Sequence, residues 1–149
     1  MRCVTLLSAL ALTCLCPLTA RAQPVLYVTD PSTVKTVPAG GGQAVTYATG
    51  FNGPTGIARD AAGNLFVASY FDNTVSMVPA GGGTPVTYAT GLNRPEALAV
   101  DATGNLFIAN YNTHDVLKVP AGGGPPVTYA TLSGHPFSLA VDAACHHCA

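Results

Sequence analysis

Apolar and polar residues alternate along this chain in short runs closed by glycine, proline or aspartate turns, and the whole pattern recurs every 41 residues. Within the stretch from Pro54 to Arg94, the run Gly56-Ile57-Ala58-Arg59 ends at Asp60-Ala61-Ala62-Gly63-Asn64. Aspartate bonds its own downstream backbone and glycine supplies the positive φ of a tight reversal, so this segment predicts a turn. Leu65 to Ser69 then predicts a second strand, rich in residues that pack on a pleated sheet. Tyr70-Phe71-Asp72-Asn73 is a polar-aromatic turn, and Thr74 to Val78 alternates as a third strand. Pro79-Ala80-Gly81-Gly82-Gly83 breaks it, because proline removes a ladder donor. Pro85 to Thr90 is the fourth strand. No part of the unit shows a 3.6-residue period.

More than half of the positions from Pro54 to Arg94 return unchanged from Pro95 to His135. Pro54, Pro95 and Pro136 mark the start of each copy, and Asp60, Asp101 and Asp142 mark its first turn. A period near 40 residues signals one supersecondary unit copied along the chain, each copy burying its apolar face on the next. Four short antiparallel strands per copy describe a propeller blade, so the expected fold is all-β with about three blades. The units fall near residues 25–53, 54–94 and 95–135, with a partial copy at 136–149. Val25 to Thr49 matches only the last three strands, and Pro136 to Asp142 only the first, for twelve strands in all.

Three blades are fewer than the usual four to eight. Three arrangements account for this: two chains closing a six-bladed ring as a homodimer, an open arc, or a truncated product. Cys145-His146-His147-Cys148-Ala149 stands where the repeat calls for Gly-Asn-Leu-Phe. So abrupt a change favours a broken reading frame or a gene fragment.

The ends and the composition narrow the function. Residues 1–22 read as a secretory signal peptide: Arg2, an apolar stretch from Val4 to Leu15, and Ala20-Arg21-Ala22 before the cleavage point. The apolar stretch is too short for a membrane span, so the expected location is secreted or periplasmic. The remainder, residues 23–149, carries four cations against seven carboxylates, a net charge of −3. Four scattered cations cannot line a phosphate backbone, which excludes nucleic-acid binding. Charged residues make up 9% of the chain, against about 25% in typical soluble domains, and so sparse a charge favours self-association.

The motif Pro-x-Gly-Ile-Ala-x-Asp-x-x-Gly-Asn-Leu-Phe-Val-Ala-x, from Pro54 to Ser69, resembles an NHL repeat. Pro95 to Asn110 repeats it with Ala97 in place of the first glycine. The resemblance covers nearly all of residues 23–149. It implies blades of a six-bladed propeller used as a binding platform. Related six-bladed propellers include calcium-dependent lactonases of the gluconolactonase type and antibiotic lyases, so a lactonase- or lyase-like enzyme is the alternative. A shared fold does not decide between them.

Candidate chemistry is sparse. Asp60, Asp101 and Asp142 stand singly, without the alternating carboxylates of a calcium loop. Together with Gly63 and Gly104 they are read as structural turn residues. Cys145 and Cys148 could chelate a metal or form a disulfide, but zinc sites need two separated ligand pairs. No cofactor is expected. Glu96, the only glutamate, breaks the repeat at the positions of Thr55 and Phe137, in what reads as the loop before an innermost strand. His135 stands where the preceding copy has Arg94, and His114 where it has Asn73. Arg94, Glu96 and His135 are the candidate ligand-binding residues, on loops that by analogy with six-bladed relatives open towards the central channel. No catalytic residue is assigned. Tyr47, Tyr88 and Tyr129 recur in the outer strand and are read as packing between blades.

Overall fold

The computed structural model describes residues 25–142, an all-β arrangement with no helix among them. The first blade holds three strands, β1 (Leu26–Asp30), β2 (Thr33–Val37) and β3 (Val45–Thr49). The second holds β4 (Pro54–Arg59), β5 (Leu65–Ser69), β6 (Thr74–Val78) and β7 (Val86–Ala89). The third holds β8 (Pro95–Val100), β9 (Leu106–Asn110), β10 (Asp115–Val119) and β11 (Val127–Thr131). Each blade is one antiparallel sheet with its strands in chain order. The period reaches the irregularities too: a register shift follows Val34, Val75 and Val116 alike.

Among the described residues eleven strands form, not twelve. The segment from Pro136 to Asp142 is in no sheet. It makes no ladder with any of the eleven strands, the three-stranded first blade included. The inner strands also start earlier than expected, at Pro54 and Pro95. A first-residue proline is compatible with a strand because its missing donor falls at the strand's end. Glu96 is therefore the second residue of β8, not part of the preceding loop.

Strand alternation divides the core between blades. Leu65, Val67 and Val78 face the first blade and pack with its Val34 and Ala48 and with Phe51 in the connection that follows. Phe66, Ala68, Val75 and Ala89 face the other way, onto Leu98, Leu106, Ile108, Leu117 and Val119 of the third blade. A central blade thus buries both faces, and among the described residues the blades are held by these two seams, by the approach of their inner strands and by contacts at their rims.

The inner strands β4 and β8 run side by side. A Cβ on Gly56 would lie 2.8 Å from both Ala97 Cα and Glu96 O. Beside this approach, Thr55 Oγ1 donates to Pro95 O at 2.8 Å. The outer strands bridge the blades differently. Tyr47 Oη donates to Pro79 O of the second blade at 3.3 Å. Burial, then the neighbouring Tyr27 phenol, pushes the Tyr47 hydroxyl above its ordinary pKa, keeping it a donor. Tyr88 is likewise raised by burial and reaches the equivalent turn of the third blade, where a Cβ on Gly123 would stand 4.0 Å from its ring.

Candidate functional site

Antiparallel strands place alternate turns at opposite ends of the blades, and the two ends carry different chemistry. One end holds the Asp-x-x-Gly-Asn turns. Asp60 accepts from Asn64 N and Asn64 Nδ2, each at 2.8 Å, while Gly63 takes up φ +93°. Asn64 Oδ1 then accepts from Ala80 N at 3.1 Å, tying this turn to the next glycine-rich one. Asp101, Gly104, Asn105 and Ala121 repeat the arrangement, with Gly104 at φ +86°. Both carboxylates are thus engaged by donors, as a turn requires and an open metal loop would not have them. Asp142 ends the described segment.

Asp101 has two further donors, the backbone N–H and hydroxyl of Thr103, where Asp60 has Ala62 two residues on. Desolvation pushes its carboxyl up. Hydrogen bonds from Asn105 and Thr103, side chains first and backbone second, outweigh this and bring it down to about 2 from an ordinary 3.8. A depressed carboxyl contributes stability that is complete above its unfolded value and lost as pH falls through its folded one. Thermal unfolding followed from pH 5 to pH 2 should therefore show a loss between about 4 and 2 that Asp101→Asn flattens.

The opposite end gathers the candidate residues. Arg94 and His135 lie in the connections entering β8 and the C-terminal segment, beside the turns 70–73 and 111–114. Arg94 Cζ sits 5.4 Å from the Tyr70 ring centroid, and Arg94 Nη1 donates to Tyr70 Oη at 3.5 Å. His135 stacks on Tyr111 with centroids 4.1 Å apart and planes 10° from parallel. Its Nδ1–H donates to Tyr111 O at 2.8 Å, and His114 meets its ring edge-on. Tyr70 and Tyr111 are themselves 6.3 Å apart. Arg94 and His135 are therefore linked through one row of rings, continued by exposed Phe71 beside Tyr70 and exposed Phe137 beside Tyr111.

Arg94 holds its place at a cost. Its φ is +54°, a left-handed conformation that the preceding copy fills with Gly53. A side chain at Gly53 would meet the Phe71 ring at 2.5 Å. At the corresponding place in the third blade stands Asn112, which turns to Asn93 instead. Asn73 Oδ1 accepts from Arg94 N at 2.8 Å and steadies the strained residue. Left-handed backbone costs a non-glycine residue about 1–2 kcal/mol. Arg94→Gly should therefore raise stability by about 1 kcal/mol in urea unfolding while removing the cation from the row.

Glu96 is not part of that row. Half-buried, it lines a groove of about 380 Å³ whose walls are three copies of one tripeptide: Thr55-Gly56-Ile57, Glu96-Ala97-Leu98 and Phe137-Ser138-Leu139. Phe137 joins the groove to the aromatic row. Thr55 spends its hydroxyl on the neighbouring blade, and Glu96 carries the groove's one carboxylate. Among the described residues no three His, Cys, Asp or Glu side chains are grouped to hold a metal ion. Cys145 and Cys148, like the leader 1–22, lie outside the described residues. No described helix is long and apolar enough to cross a membrane.

The aromatic row is what sequence reasoning missed. Tyr70 and Tyr111 are one period apart, which was a readable signal, but the first copy has a shorter turn and no tyrosine there.

Solved structures match this arrangement. The nidogen/laminin complex superposes with a TM-score of 0.73 at 24% identity, over 82% of this chain and 50% of the other. A virginiamycin B lyase from Staphylococcus aureus gives 0.64 at 11%, over 76% and 41%. A gluconolactonase from Xanthomonas campestris gives 0.60 at 17%, over 71% and 36%. No protein-family model matches the chain, and no curated protein matches it. The neighbours are six-bladed β-propeller proteins, and this chain is built of propeller blades. It spans half or less of the length of each of these three.

Proposed function

We propose that the chain is an exported propeller of the NHL-repeat type that works as a binding module, without catalysis. One observation carries this reading: Arg94 and His135 are both laid on aromatic rings at an exposed rim, with large apolar side chains on either side. Rings flanked by a guanidinium suit a protein partner that offers a carboxylate beside an apolar side chain. Among the described residues Glu96 has no second carboxylate in its groove with which to share acid–base or metal chemistry.

A displayed peptide library, selected on the full chain and counter-selected on Tyr111→Ala, tests this. Enriched peptides should pair an acidic residue with a large apolar one, lose at least tenfold in affinity to Arg94→Ala, and ignore chelator. Hydrolysis of a sugar lactone that needs added calcium and disappears in Glu96→Ala would replace this reading with the enzyme one.

A further inference from the structure

We infer that two copies of this chain close one six-bladed ring by exchanging their C-terminal segments, Pro136 to Val141 of each copy becoming the inner strand of the other's first blade. This goes beyond the rim site and stands independently of it.

The segment already occupies an inner strand's place without a sheet to join. Gly56, Ala97 and Ser138 are equivalent positions, and the groove sets all three side by side. The first blade lacks the matching strand, so the inner edge of β1 has no ladder partner among the described residues. The registers of the two complete blades dictate the missing one. Ile57 faces Val67 and Leu98 faces Ile108; Ala58 faces Phe66 and Ala99 faces Phe107. With β1 aligned through its pairing to β2, Leu139 then faces Val28, Ala140 faces Tyr27 and Val141 faces Leu26. The first two pairs keep the chemistry of both precedents, aliphatic on aliphatic and alanine on aromatic; the third, aliphatic on leucine, follows Val100 on Leu106, where the second blade sets Arg59 on Leu65.

The blade seams continue onto the free faces. Leu65 and Leu106 are 1% and 0% exposed, yet their counterpart Leu26 is 62% exposed; Val67 and Ile108 are both 0%, and Val28 is 41%. These are the side chains that an earlier blade would cover. At the other end Tyr129, the counterpart of half-buried Tyr47 and Tyr88, is 65% exposed. Among the described residues no glycine-rich turn follows it. The first blade offers one, Pro38 to Gly42, exposed and closed by Gly41 N donating to Pro38 O at 2.9 Å. The turns that receive Tyr47 and Tyr88 are closed the same way, at Pro79 and Pro120. By contrast Val45, Val86 and Val127 are exposed in all three blades and belong to the outer edge.

Three blades subtend half of a six-bladed circle, so a half-turn brings the third blade of each copy against the first blade of the other. Both seams are then equivalent and the assembly closes instead of growing. The sparse charge of the faces offers little repulsion. The groove around Glu96 becomes half of a channel wall, completed by the same residues of the second copy.

Light scattering on residues 23–149 should give twice the monomer mass. The variant Val28→Cys/Leu139→Cys, with Cys145 and Cys148 changed to Ser, should then form a covalent dimer on oxidation, because directly opposed strand residues fall within disulfide reach. Leu139→Asp should shift the mass to that of one chain. A monomer, a heterogeneous aggregate, or a dimer in which this cross-link does not form between chains would overturn the proposal.

Discussion

Gly56→Val should leave the chain unfolded at temperatures where the unmodified protein is native. The inner strands meet backbone to backbone at this residue. The first added carbon would stand 2.8 Å from Ala97 Cα and Glu96 O and 2.9 Å from Leu98 N. Real Cβ contacts do not come so close, and the obstacles are main-chain atoms with no rotamer through which to retreat. Relief requires that β4 and β8 separate. That breaks the Thr55–Pro95 bond and opens the apolar seam behind it. Overpacking of a well-packed core usually costs about 1–3 kcal/mol, and a backbone obstacle belongs at or above the top of that range. Such a loss is a large part of the stability of a small domain. Gly56 needs no positive φ, so conformational strain plays no part. Its counterpart Ala97 already carries a Cβ, and Ala97→Gly should cost only about 0.5–1 kcal/mol. Urea unfolding of the two variants separates them: equal losses would mean that glycine is needed at position 56 for some reason other than this approach.

The blade architecture was legible in the chain because proline, aspartate and glycine at fixed offsets punctuate every copy. Once the turns are placed, period-two alternation assigns the strands between them. What the pattern could not show was pairing. Pro136 to Val141 reads as a strand as clearly as Pro54 to Arg59 does, yet a strand exists only where a neighbour accepts its ladder, and sequence similarity to an inner strand says nothing about whether the neighbour is there. Glu96 was misplaced for a local reason. The inner strands begin at their proline, and a register shift between Pro95 and Ala97 carries the glutamate within the sheet. Arg94 and His135 were visible as departures from the repeat. Their partners were not, because Tyr70 and Tyr111 lie on turns of the preceding sheet and meet them only once blades stack. Interruptions of a repeat thus single out candidate positions, while the side chains gathered around them depend on which turns share a rim.

Phe66→Ala and Phe107→Ala remove the same side chain from equivalent positions in two successive blades, and their effects should differ in kind. Phe66 is buried in the seam between the second and third blades and meets Tyr88 edge-on at 4.8 Å. Its loss leaves a cavity among Leu98, Leu106 and Ile108 that those strand-bound neighbours cannot fill, and should cost about 3–5 kcal/mol. Phe107 keeps the partner of its own blade, Tyr129 at 5.0 Å, but its outer face has no further blade on it. There it lines an apolar groove together with Leu139 and Val141. Truncation at that site removes little packing within one chain, so Phe107→Ala should cost about 1 kcal/mol at concentrations where the chain is monomeric. In a closed ring the same face is a seam between copies, and its loss should appear as dissociation. Unfolding midpoints at two protein concentrations distinguish the cases, since only an association term varies with dilution. A Phe66→Ala deficit that is independent of concentration, beside a Phe107→Ala deficit that is larger in concentrated solution and shrinks towards about 1 kcal/mol on dilution, places one ring inside the fold and the other between two folds.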